Sequence, residues 1–189
     1  MAATSLLPAQ TAHANALLNY QGVYTDPSHP KGYRVLIGTT HNKATLLLQN
    51  DASEKMYEIS LEITTVGDGR MQFTFDYKSI DGSVTVGTFT KDKEGIPLIQ
   101  FADGAWKKRE TGPIGVYYDS SNPSKRIIIR QAKGAEWIVD ILDGGGMSRF
   151  TAKAGNPILC RLSEGNVNGV FSMKEKTITF DDGTVWTKF

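Results

Sequence analysis

The residues best suited to chemistry lie in one stiff loop near the start of the chain, Asp26-Pro27-Ser28-His29-Pro30, with Arg34 shortly after it. Two prolines restrict the backbone of this loop, so its polar side chains are held in a fixed arrangement. A carboxylate, an imidazole and a guanidinium arranged in this way could form a polar recognition surface or hold an anion. The alternative is structural, with Asp26 accepting hydrogen bonds from the turn and Arg34 serving as its ionic partner.

The second half of the chain repeats part of this loop. Asp119, Pro123 and Arg126 occupy corresponding positions, whereas Asn122 stands where the first half has His29. Recurrence in both halves fits a structural role better than a single binding site, so we favour the structural interpretation. The candidate binding residues of the two loops are Asp26, His29, Arg34, Asp119 and Arg126.

Patterns typical of catalysis or metal binding are absent from the sequence. The three histidines, His13, His29 and His41, have no spacing that places two of them on one face of a strand or helix, and the single cysteine, Cys160, adds no set of ligands. The nucleophile motif Gly-x-Ser-x-Gly does not occur. We therefore predict no metal, no cofactor and no enzymatic activity.

Two tryptophans are further candidates for binding. Trp106 and Trp186 each follow an acidic turn, at Asp103 and at Asp181-Asp182, an arrangement that could suggest carboxylates acting on a carbohydrate. Turn formation explains these aspartates better. With nearby tyrosines and phenylalanines, the tryptophans could instead line a pocket for an apolar ligand. Such residues more often fill the inside of a small barrel, which is the interpretation we favour.

The tryptophans close two copies of one sequence repeat. Ile99 to Lys108 and Ile178 to Lys188 share the order apolar-x-Phe-x-Asp-Gly followed by Trp-x-Lys, with one extra residue before Trp186. Asp-Gly between two alternating apolar runs predicts a β-hairpin, because glycine readily adopts the positive φ of a tight turn. Each copy also opens with Gly-Val-Tyr, at Gly22 and at Gly115.

Between these landmarks apolar and polar residues alternate, as in Tyr57 to Thr64, which is the pattern of half-buried strands. The pattern predicts an all-β fold, an antiparallel barrel or sandwich built from two tandem repeats of about seven or eight strands each. We expect an N-terminal segment, helical or flexible, over residues 1–18, and β repeats over residues 19–110 and 111–189. Residues 107–113 have the composition of a polar connector. The pattern leaves two arrangements open: either each repeat closes its own barrel, or the two repeats form halves of one structure. We expect two similar lobes.

Composition narrows the classes of partner. Lys and Arg number 21 against 20 Asp and Glu, so there is no large basic face and nucleic acid is not expected. No apolar run approaches the roughly 20 residues of a membrane-spanning helix, so we predict a soluble protein. Ala12-His13-Ala14 has the small-x-small form of a signal-peptidase site, so this segment is either the tail of a longer export signal or an ordinary Ala-rich start, two interpretations that the sequence supports about equally.

The repeated motifs resemble a family of small all-β tandem-repeat proteins of algae and other plastid-bearing eukaryotes. The resemblance is carried by Gly-Val-Tyr-x-Asp-Pro-x-His-Pro-x-Gly-x-Arg at residues 22–34 and by Ile-x-Phe-x-Asp-Gly-x-x-Trp-x-Lys at residues 178–188. The chain departs from the family's Pro-Asp-Gly-Asn before the tryptophan, since it has Ala102-Asp103-Gly104 there. The resemblance implies the kind of organism from which the protein comes, but it implies no activity. Together with the Ala-His-Ala motif it implies the thylakoid lumen of a plastid, with secretion as the alternative.

These observations lead to one functional expectation and two alternatives. We expect a non-catalytic lumenal β-protein that docks on a larger assembly, such as a membrane photosystem at its lumenal face. The first alternative is a lipocalin-like carrier that holds a pigment or lipid against Trp106 and Trp186. The second is a carbohydrate-active enzyme or binder that uses the acidic turns.

Overall fold

The computed structural model describes residues 17–40, 42–51, 55–76, 84–131, 136–143, 146–153, 158–162 and 165–189. The Ala12-His13-Ala14 motif and His41 lie outside the described residues, and of Cys160 only the backbone is described. The chain divides into two compact units, the first ending at Lys108 and the second beginning at Arg109. Among the described residues, no helix is long and apolar enough to cross a membrane.

Antiparallel strands make up nearly all of the regular structure in the described residues, and residues 17–20 form a short helical segment. The strands of the first unit are β1 (Gly22–Thr25), β2 (Tyr33–Gly38), β3 (Lys43–Gln49), β4 (Tyr57–Thr65), β5 (Met71–Asp76), β6 (Val84–Lys91), β7 (Pro97–Phe101) and β8 (Gly104–Lys108). The strands of the second unit are β9 (Gly115–Asp119), β10 (Asn122–Gln131), β11 (Glu136–Leu142), β12 (Met147–Lys153), β13 (Ile158–Leu162), β14 (Gly165–Ser172), β15 (Thr177–Phe180) and β16 (Val185–Lys188).

Each unit is a closed up-and-down barrel in which every strand pairs with the next strand along the chain. The first barrel closes where β1 pairs with β8, with Tyr24 opposite Lys108, and the second closes where β9 pairs with β16, with Tyr117 opposite Lys188. In an open sheet each terminal strand has one unpaired side. In a closed barrel the first and last strands pair with each other. The predicted fold, all-β and antiparallel with two tandem repeats and a short N-terminal helix, is confirmed.

The two Asp-Gly hairpins form, but their turns differ. In the second barrel Gly183 has a φ of 87°, and Asp182 Oδ1 accepts the Thr184 N–H at 2.8 Å, as a tight turn requires. The first copy lacks one residue here, so Gly104 falls at the start of β8 opposite Phe101 and does not adopt a positive φ. The expectation that glycine supplies a positive φ in both turns was therefore wrong for the first copy.

Side chains of the chain itself fill the barrel interiors. In the first barrel the rings of Phe73, Phe75 and Phe101 lie within 6.2 Å of one another, and Trp106 lies 4.5 Å from Phe101, measured between ring centroids. In the second barrel aliphatic residues replace most of these rings. Its buried core consists of Tyr117, Ile127, Ile129, Val139, Ala152, Ile178, Phe180 and Trp186. Burial of this apolar surface supplies the main driving force for folding of each barrel.

Candidate functional site

The loop between β1 and β2 is folded by hydrogen bonds that centre on Asp26. Its backbone carbonyl accepts the His29 N–H at 3.1 Å, and its Oδ1 accepts the Ser28 N–H at 2.9 Å. The Gly32 N–H then donates to the His29 carbonyl at 2.8 Å, which leads the chain into β2. This turn places the Asp26 carboxylate beside Arg34.

Arg34 is the centre of a buried polar cluster. Its Nη2 lies 2.7 Å from Asp26 Oδ2 and donates to Asn50 Oδ1 at 2.8 Å, while its Nη1 donates to the Gln49 carbonyl at 2.8 Å. The guanidinium carbon also lies 5.1 Å from the centre of the Trp106 ring, within range of a cation–π interaction. Only 1% of Arg34 is exposed, so its charge serves the interior rather than an external anion.

His29 occupies the outer side of this cluster. Its Nδ1 lies 2.9 Å from Asp26 Oδ2, and 41% of its side chain is exposed. The structure thus brings together Asp26, His29, Arg34 and Trp106 of the predicted site residues. The contact between Asp26 and Arg34 is the one that the structural interpretation requires.

The ionisation of Asp26 makes this cluster sensitive to acid. Burial alone raises the pKa of Asp26, but the hydrogen bond to His29, the charge of Arg34 and the Ser28 N–H outweigh it and hold the pKa below its usual range. A carboxylate with a lower pKa in the folded state stabilises the fold above its unfolded pKa of about 4, and this stabilisation is lost as pH falls through the folded value.

We therefore expect thermal unfolding of the wild type to shift to lower temperature as pH is reduced from about 5 to about 2. Asp26→Asn cannot lose this charge, so its unfolding temperature should fall less steeply over the same pH range. Calorimetry of both proteins measures the difference. Parallel pH profiles would show that Asp26 contributes nothing to the acid response.

The second barrel does not repeat the contact between aspartate and arginine. Asp119 Oδ1 accepts hydrogen bonds from the Ser121 N–H at 2.8 Å and from the Ser121 hydroxyl at 2.6 Å, and its Oδ2 lies 3.9 Å from Lys125 Nζ. Arg126 instead lies over the Phe189 ring, with 4.9 Å from the guanidinium carbon to the ring centre, and burial lowers its pKa. The structure therefore does not bring Asp119 and Arg126 together as an ion pair.

An irregularity in strand pairing accounts for this difference. The register between β9 and β10 shifts between Asn122 and Arg126, which redirects the side chains that follow. Trp186 keeps its place, 4.5 Å from Phe180, just as Trp106 lies 4.5 Å from Phe101. The aromatic pair is thus common to both barrels, whereas the ionic cluster is specific to the first.

Two lysines, one of them expected in a polar connector, are in fact buried. Lys108, assigned above to a connector, ends β8 with 4% exposure, and its Nζ donates to the Asn19 carbonyl at 2.8 Å. Lys188 ends β16 with 5% exposure and donates to the Gly112 carbonyl at 3.0 Å. Each lysine links the last strand of its barrel to the segment that precedes the first strand of that barrel. The repeated Trp-x-Lys motif was the sequence signal for this role.

A second ionic cluster was not predicted. Asp140, which is 0% exposed, lies 3.2 Å from Arg130 Nε and 2.6 Å from Arg149 Nε. Its members come from β10, β11 and β12, and Arg149 stands directly opposite Asp140 across the ladder. Only the strand register brings these residues together, so alternation along each strand gave no sign of the cluster.

The remaining candidates do not assemble into a reactive site. Asp103 lies exposed in the turn between β7 and β8, and Asp181 accepts hydrogen bonds from Asn168. Across the described residues, no three side chains of His, Cys, Asp or Glu lie together in a way that could hold a metal ion. No protein-family model, no curated protein and no solved structure matches this chain.

Proposed function

We propose that the chain is a non-catalytic β-protein that docks on a larger protein assembly, a photosystem-like complex at the lumenal face of a thylakoid membrane. The absence of catalysis is inferred from the partners of the polar candidate residues. Asp26 and Arg34 are directed at each other and at neighbouring backbone groups, and Asp182 completes a turn. A catalytic group must come within hydrogen-bonding distance of its substrate. Side chains that already bond to neighbouring groups of the chain are poorly placed for this.

The filling of the first barrel also favours a protein that acts through its surface. Trp106 is 7% exposed and packs on Phe101, and Phe73 and Phe75 occupy the space beside them. A carrier of pigment or lipid holds its cargo in a cavity lined by such side chains. In this barrel the side chains contact one another, so a cargo would have to displace them.

The compartment is supported by the sequence. The Ala12-His13-Ala14 motif has the form of an export-cleavage site, and the repeated motifs resemble proteins of plastid-bearing eukaryotes. A mature start near Asn15 would agree with cleavage after the motif. Secretion is the alternative outcome.

Fractionation of thylakoids from the source organism tests this proposal. After rupture of the membranes, we expect an antibody to the chain to detect it in the membrane pellet. We expect a wash with about 1 M salt, where charges are screened beyond about 3 Å, to release it. A freely diffusing lumenal protein serves as the control for trapping. Recovery of the chain with that control, in the unwashed supernatant, would contradict docking.

A further inference from the structure

The first barrel is covered at one end by the segment that leads into it. Residues 17–21 lie where β1 begins and β8 ends. Leu17, which is 1% exposed, belongs to the buried core of this barrel, and the Tyr20 ring lies 4.9 Å from the Phe89 ring, measured between centroids. We call residues 17–21 the entry segment of the first barrel, and it packs on one side of the aromatic core.

Two side chains of the barrel hold the entry segment by its backbone carbonyls. Lys108 Nζ donates to the Asn19 carbonyl at 2.8 Å, and the Tyr24 hydroxyl donates to the Tyr20 carbonyl. Both side chains are buried. A buried ammonium needs such acceptors, so these contacts stabilise the position of the segment against the barrel.

The second barrel holds its own entry segment, residues 110–114, in the same way. Lys188 Nζ donates to the Gly112 carbonyl at 3.0 Å, and the Tyr117 hydroxyl donates to the Pro113 carbonyl at 2.5 Å. In both barrels these acceptors lie five and four residues before the tyrosine. The attachment of the entry segment is therefore part of the repeat.

The two entry segments differ at the residue just before the first strand. Gln21 is 0% exposed, and within the described part of the chain neither its amide oxygen nor its amide nitrogen has a hydrogen-bond partner. The nitrogen packs against Gly38, where an added Cβ would lie 3.2 Å from it. The second barrel has Ile114 at this position, also buried. A buried amide without a partner destabilises the closed position of the first segment, and the second segment has no such group here.

We propose that the entry segment of the first barrel is a lid, which opens while the barrel itself stays closed. Opening returns the Gln21 amide to water, where both of its polar atoms find partners, so the buried amide favours the open state. Barrel closure does not require the segment, because β1 pairs with β8 at Tyr24 and Thr25, which follow it in the chain.

Opening of the lid uncovers the Phe89 ring and with it one side of the aromatic core. The lid thus controls access to the interior of the first barrel, whereas the entry segment of the second barrel stays in place. This inference goes beyond the docking function and does not depend on it.

Native-state hydrogen exchange of the purified full chain tests the lid. The Gln21 N–H donates to the Leu18 carbonyl at 3.2 Å, so protection of this amide reports the closed segment. Ile99 pairs with strands on both sides and is 0% exposed, so its amide reports unfolding of the barrel. We expect the amide at residue 21 to be protected about 100-fold less than the amide of Ile99, or weaker still, as for a locally opening unit.

Two variants remove the unpartnered amide. Gln21→Ile gives the first barrel the residue type of the second, and Gln21→Met keeps the length of the side chain. Both should raise protection at residue 21 by about tenfold, because the closed state no longer buries an unpaired polar group, and both should leave Ile99 unchanged.

A third variant loosens the attachment of the lid. Lys108→Met removes the hydrogen bond to the Asn19 carbonyl and should lower protection at residue 21 by about tenfold. Lys188→Met makes the same change in the second barrel and should leave residue 21 unchanged.

Two results would overturn the proposal. Equal protection of residue 21 and Ile99 in the wild type would show that the segment and the barrel open only together. Lower protection at residue 21 in both Gln21→Ile and Gln21→Met would show that the amide stabilises the closed segment, which is the opposite of its role in a lid.

Discussion

Replacing Asp26 with asparagine should lower the free energy of unfolding by about 3 kcal/mol, because it removes the charge of the carboxylate that lies against a buried arginine. Arg34 is 1% exposed, and its Nη2 lies 2.7 Å from the Asp26 carboxylate. The Asn50 amide oxygen and the Gln49 and Tyr33 carbonyls also accept hydrogen bonds from Arg34, but they are neutral dipoles and compensate only in part. Urea denaturation monitored by tryptophan fluorescence measures the change.

The second barrel supplies a matched control for this prediction. Asp119→Asn removes the same charge from the corresponding loop, but Asp119 bonds to Ser121, and the nearest cation, Lys125, is 3.9 Å away. We expect this variant to lose only about 1 kcal/mol, the scale of one hydrogen bond. Equal losses in the two variants would show that the contact with Arg34 does not stabilise the fold.

Replacing Gly87 with alanine should cost about 2 to 3 kcal/mol through overpacking of the first barrel. A Cβ at this position of β6 would lie 2.4 Å from Cζ of Phe73, well inside van der Waals contact. The Phe73 ring is 1% exposed and packs against Phe89 at 5.2 Å and Phe75 at 5.7 Å, so it cannot move aside without disturbing its neighbours. The free energy of unfolding in urea is the measurement.

Gly104→Ala is the control for the change from glycine to alanine itself. Gly104 begins β8, its φ is not positive, and a Cβ added there would meet nothing within 4 Å. Alanine there should change the free energy of unfolding by no more than about 0.5 kcal/mol. If Gly87→Ala were as mild as this control, close packing of Phe73 against β6 would be refuted.

Alternation and repetition in the sequence predicted much of the architecture. The period of two along Tyr57 to Thr64 appears as β4, and the two Trp-x-Lys endings appear as the last strands of two barrels. These features are local, because the side-chain period and the turn residues act within a few positions of each other. The interpretation of Asp26 as a turn residue paired with Arg34 is local in the same sense.

Features that depend on register could not be predicted in this way. Arg130, Asp140 and Arg149 lie on three strands, and only the pairing of those strands brings them together. Arg126 repeats the residue type of Arg34, yet the shift of register after Asn122 places it over Phe189. One residue of shift in a strand exchanges its two faces, so repeated residue types need not give repeated contacts.

The buried lysines show a different limit. Lys108 and Lys188 reach backbone carbonyls because their stems cross Gly22 and Gly115, where a Cβ would lie 2.6 Å and 2.4 Å from the lysine Cε. Each lysine is far in sequence from its glycine, and the charged residues around Lys108 suggested a polar connector. A buried ammonium needs acceptors, and barrel closure is what supplies them here.

Native mass spectrometry of the chain isolated from its source tests docking on a larger assembly most directly. The proposal predicts an intact complex in which the chain, with a mature start near Asn15, is bound to membrane-protein subunits. A lone chain that carries a bound pigment or lipid would contradict it, and would move the function from the surface of the barrels to their aromatic interior.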